Sequence, residues 1–169
     1  MANSDGVETS SLLFKSRILF ASECVAHVCL CFGIEWKSSE PKGYTDDYYS
    51  NEVLDTILIT INNAQDLIID QYNGWFKTGD RTLNLNNFKQ LLDFITYLSC
   101  NSPYSHESLI EFLSFVIDIA VKAYSDGVTE APDYAVVCIT YALTAFKFDS
   151  NSSDNLMNFS ADCKTGLFY

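Results

Sequence analysis

Residues 109–121, LIEFLSFVIDIAV, are apolar nearly all the way round a helix. A helix with one apolar stripe can lie on the surface of a core. A helix apolar on every side has to be enclosed by others. This stretch therefore demands a bundle in which the rest of the chain wraps around it. Residues 112–121 are expected to be nearly inaccessible, and a charge introduced by Phe115→Asp to unfold the domain.

The segments that could do the wrapping are legible from their period. From Ser11 onward Leu12, Leu13, Ile18, Leu19, Val25, Val28, Cys29 and Phe32 recur at helical spacing, ending near Gly33. Residues 37–47, KSSEPKGYTDD, read as a loop. Val53, Leu54, Ile57, Leu58 and Ile61, then Leu67, Ile68, Tyr72, Trp75 and Phe76, predict two shorter helices divided at Asn62-Asn63. The segment TILITI is β-prone, but the surrounding period is helical. Phe88, Leu91, Leu92, Ile95 and Leu98 share one face of the next helix, capped by Asn84, Asn86 or Asn87. Ser102 or Ser105 opens the enclosed helix, and Asp126-Gly127 closes it with glycine as the left-handed cap. Pro132 suits the first position of a last helix reaching to about Phe148. The expected fold is all-α: one helical bundle over residues 11–148, preceded by a loose residue 1–10 segment. It is followed by a polar tail, 149–169, with room for one short helix.

Composition narrows the function. A net charge of −12 and ten scattered basic residues argue against a nucleic-acid or anionic-membrane surface, which needs clustered Lys and Arg. Residues 18–34 are apolar but shorter than the roughly 20 residues of a membrane helix, and Glu23 and His27 interrupt them. No membrane span is expected. The six cysteines form no CxxC pair and lie mostly in apolar contexts, as free thiols of a reducing cytosol do. Two sequons, at Asn151 and Asn158, point the other way, although a tail rich in Asn and Ser produces such matches by chance. Catalysis needs positioned acids, bases or nucleophiles, and there are two histidines. Glu23 and His27 stand at i, i+4 without a second pair, and His106 sits in a helix's first turn as a solvated side chain. Neither an enzyme nor a cofactor, metal or small-molecule substrate is expected.

The stretch WFKTGDRTLNLNNFKQ raises a sharper question. Lys89 falls at the start of a helix, where a cation faces the positive end of the helix dipole. Trp75-Phe76-Lys77-Thr78-Gly79 looks like the Leu-Phe-Arg-Asp-Gly that the B-cell lymphoma 2 (Bcl) family of apoptosis regulators places before its first homology motif. Leu85-Asn86-Asn87-Phe88-Lys89 is similar to that motif's Val-Asn-Trp-Gly-Arg, and Ala123-Tyr124-Ser125-Asp126 with Glu130-Ala131-Pro132 to the family's Thr-Tyr-Leu-Asn…Glu-Pro. The order of segments, with two apolar helices as a central hairpin, also resembles that family, in the degraded form of its viral members. Asn87 and Phe88 replace the motif's Trp and Gly, Lys89 replaces its Arg, and residues 80–84 are inserted.

The resemblance implies an inhibitor of apoptosis acting in the host cytoplasm, reaching mitochondria through its partners. Such a protein sequesters the amphipathic death-motif helix of a pro-apoptotic partner in a hydrophobic groove. Carried over by position, Lys89 would meet an aspartate of that helix, Asn86 would support the same end, and Tyr72, Phe76, Phe88 and Leu92, with Ile68 one turn earlier, would form the floor. Lys lacks the two-pronged donor of Arg and would pair more weakly. The resemblance also implies an alternative, a helical scaffold that binds signalling adaptors through an outer face without an open groove. A homodimer is left open. A secreted helical glycoprotein is a third reading, and it would need disulfides and occupied sequons.

Overall fold

The computed structural model describes residues 4–38, 49–77, 81–146, 155–166 and 168. Among them there are six helices and no strand: α1 Ser4–Cys31, α2 Asn51–Lys77, α3 Leu85–Cys100, α4 His106–Ser125, α5 Ala131–Ala145 and α6 Asn155–Thr165. No helix among the described residues is long and apolar enough to cross a membrane. The 37–47 loop and the sequon at Asn151 lie largely or wholly outside the described residues. Asn158 stands exposed on α6.

The enclosed helix is α4. It touches α1, α2, α3 and α5, and between Phe112 and Val121 every residue is buried except Phe115. Phe115 is half-buried because it faces a surface cavity, so the expectation of near-inaccessibility is corrected at this position. The preceding helix, α3, is less enclosed. Phe88, Leu91 and Leu92 are buried, whereas Phe94, Tyr97 and Leu98 are exposed.

Local chemistry sets the ends. Ser105 caps α4 by accepting from the Ser108 amide at 3.0 Å, while the Ser108 hydroxyl accepts from the Ser105 amide at 2.9 Å. Asn84 caps α3, its Oδ1 accepting from the Asn87 amide at 2.9 Å. Gly33 and Gly127 take φ of +76° and +107°. Each lets the following amide reach back to its helix, Ile34 to the Cys29 carbonyl and Val128 to that of Ala123.

Two further expectations are corrected. Asn62-Asn63 does not divide α2, which runs unbroken: the buried stripe Val53, Ile57, Ile61, Ile68 and Tyr72 holds it to α4, and both asparagines point to solvent. Tertiary packing outweighs the weak local preference of asparagine. His106 is not solvated, because its Nδ1 contacts the Asp162 carboxylate on α6 and its ring packs edge-on to Phe159 at 5.9 Å. Phe159 in turn meets Phe20 of α1 at 6.3 Å. The packed body thus continues through α6, and helix α1 takes in residues 4–10.

Candidate functional site

The structure does not bring the seven residues carried over from the resemblance into one open groove. Ile68, Phe88 and Leu92 are 0% exposed and belong to the core, and Tyr72 is buried too. Tyr72 and Phe76 pack ring to ring at 5.0 Å and line a 700 Å³ cavity between the C-terminal ends of α2 and α4. Asn86 is exposed on the first turn of α3. Lys89 lies one residue beyond that first turn, and its Nζ stands 5.0 Å from the centre of the Tyr134 ring on α5. The Tyr134 hydroxyl donates to Asp93 Oδ1 at 2.6 Å. An aromatic face thus stabilises the cation from within the chain.

A larger opening lies elsewhere. α2 and α3 each pack on α4, and between them runs a trough of 1020 Å³ floored by α4. Ala64 and Leu67 form one wall, Ile95 and Leu98 the other, and Phe115 rises from the floor. Leu67 and Leu98 are 55% and 49% exposed, a large apolar area left to water. The Trp75–Phe94 stack, 5.9 Å between ring centres, links α2 to α3. The N-terminal turns of α4 supply Glu107 and Glu111, and Phe168, packed on Phe159 at 6.2 Å, also lines the trough.

Sequence reasoning missed this trough because it assigned each helix a single apolar face. The signal was present. Leu67 falls off the buried stripe of α2, and on α3 Ile95 and Leu98 continue the apolar stripe past the buried Phe88, Leu91 and Leu92 to reach the trough.

The 700 Å³ cavity is more polar. Lys77, Arg81 and Lys122 line it together with Asp118 and Asp126. Asp118 is 1% exposed and 3.2 Å from Lys122 Nζ. Burial raises its carboxyl pKa above the ordinary range, and Lys122 opposes that shift. Tyr72 donates to Asp126 Oδ2 at 2.8 Å, and burial together with this bond pushes its phenol up. The Arg81 guanidinium lies 4.0 Å over the Trp75 ring. Glu23 and His27 stand 3.6 Å apart on α1, with Tyr49 packed on the imidazole at 4.9 Å. Among the described residues no cluster of three or more His, Cys, Asp or Glu side chains could hold a metal ion. All six cysteines are free thiols, Cys31 exposed and Cys24, Cys29, Cys138 and Cys163 buried.

These features define an all-helical bundle with an apolar surface trough. No protein-family model, no curated protein and no solved structure matches the chain.

Proposed function

We propose that this protein is a helix-sequestering regulator of Bcl-like arrangement, an inhibitor of apoptosis that holds a partner's death-motif helix in the α2–α3 trough. The observation that carries the reading is the trough itself, 1020 Å³ in volume and lined by polar and apolar side chains alike, with Leu67 and Leu98 half-exposed on opposite walls. An amphipathic helix presents anchors at i, i+3 or i+4 and i+7, about 10 Å end to end. Seating them would take Leu67, Leu98 and Phe115 out of water at about 25 cal/mol per Å² of apolar surface, less the cost of ordering the peptide. A helix held there has its own apolar face covered and cannot engage another protein. The function expected from the family resemblance is kept, while the apolar contact surface moves from Phe88 and Leu92 to Leu67, Leu98 and Phe115.

The test is fluorescence polarisation with a labelled death-motif peptide. Saturable binding by the wild type is expected, lost in Leu98→Glu, a change at a half-exposed position that leaves the fold intact by circular dichroism. A wild type that binds no such peptide would refute the reading. A second reading, the adaptor scaffold, is favoured by Tyr97 on α3 and by Val137 and Tyr141 on α5, each more than half exposed on two helices that pack together. Partner binding lost in Tyr141→Glu and kept in Leu98→Glu would select it.

A further inference from the structure

The trough has a sign as well as a shape. Glu107 and Glu111, one turn apart on α4, line it on the same helical face. Among the described residues that line it there is no lysine or arginine. The remaining titratable group, His106, is engaged by the Asp162 carboxylate, so that even a protonated imidazole is matched by a negative charge. Three cations of the bundle lie away from the trough and are engaged there: Lys122 by Asp118, Arg81 by the Trp75 ring, and Lys89 by the Tyr134 ring. The whole chain carries −12. A helix entering this trough meets apolar walls beside an acidic edge, inside a field that repels anions.

We infer that the trough selects a cationic amphipathic helix, one with an apolar face and Lys or Arg beside it, and that Glu107 and Glu111 set this preference. The inference rests on the trough as the helix site and adds the charge of its occupant. It reverses the expectation drawn from Lys89, in which an acid on the partner met a cation on this chain. Placed beside the apolar anchors, two basic residues three or four apart would fall opposite the two glutamates. The pairs would be partly exposed, so each adds a modest increment, sensitive to salt.

Three designed peptides of about 20 residues share one leucine face and differ only in flanking residues: Lys, Gln or Glu. Isothermal titration at low and high salt is run on the wild type, on E107Q/E111Q and on Leu98→Glu. The Lys peptide should bind the wild type about fivefold more tightly than the Gln peptide, and the Glu peptide more weakly still. E107Q/E111Q, changed only at exposed positions, should keep its affinity for the Gln peptide and lose the Lys preference, as should the wild type in high salt. If the three peptides bind the wild type equally, or the Glu peptide binds best, the charge selection is wrong while the trough stands. If none of them binds, or Leu98→Glu binds as the wild type does, the trough is not the site and both readings fall.

Discussion

Lys89→Ala distinguishes a lysine kept for a partner from one held by its own fold. Its Nζ stands 5.0 Å from the Tyr134 ring centre, inside the roughly 6 Å range of a cation–π contact. At a half-exposed position that contact is worth about 0.5–1 kcal/mol. Lys89→Ala loses it but regains a few tenths of a kcal/mol from alanine's helix propensity and from removing a cation near the helix start. The single change should therefore cost only about 0.5 kcal/mol, or 1–2 °C in a chain of this size. A double-mutant cycle cancels the offsetting terms. Urea denaturation of the wild type, Lys89→Ala, Tyr134→Leu and the double variant should give a coupling of about 0.5–1 kcal/mol. Tyr134→Phe keeps the ring while losing the bond to Asp93, and should preserve most of that coupling. Effects that add within about 0.3 kcal/mol would mean that the ring does not hold the lysine.

Core and trough should respond differently to truncation. Ile117→Ala, at a fully buried position, should cost about 2–5 kcal/mol in urea unfolding, and Phe115→Ala, on the trough floor, clearly less. Tyr72→Phe removes the 2.8 Å bond to Asp126 while leaving an exposed carboxylate free to hydrate, so thermal unfolding should show a loss of about 1–1.5 kcal/mol. Stability should fall as pH rises above about 9, because groups with raised folded-state pKa hold protons that the unfolded chain releases. Burial takes Cys138 and Tyr104 to about 12, and Tyr72 is raised as well, so the loss measured by alkaline titration should be shallower in Tyr72→Phe. Native thiol titration should find Cys31 reacting first, and denatured protein should show six thiols. Fewer than six would revive the disulfide-bearing secreted reading.

The fold was legible where a physical requirement was absolute. An apolar helix with no polar face has to be enclosed, and α4 is. Glycines that permit a left-handed turn stand after α1 and α4, and the cap of α4 is Ser105, one of the two serines the sequence offered. What the residues left open depended on distant partners. Asn62-Asn63 suggested a break only because the sequence does not show the continuous stripe of α4 that α2 lies on. The tail, rich in Asn and Ser, hid Leu156, Phe159 and Cys163, which bury one face of α6. Three residues in a short helix are too few to stand out by period, yet enough to dock it.

The site was less legible, for a reason visible on α3. Period identifies an apolar face but not what covers it. Phe88, Leu91 and Leu92 have the spacing of a groove floor and equally that of a core stripe, and the chain's own helices cover them. Leu98, which period places on that same stripe, is left open instead, as are Phe94 and Tyr97 off it. Lys89 shows the same ambiguity in charge. Seen in sequence, a cation near a helix start lacks a counter-charge, whereas in the fold Tyr134 supplies an aromatic face from 45 residues away. Partner-facing residues are therefore better sought among side chains that the fold leaves costly: half-exposed leucines on opposite walls, with two glutamates beside them that, among the described residues, no Lys or Arg lining the trough answers. Those costs are what a cationic amphipathic helix would relieve.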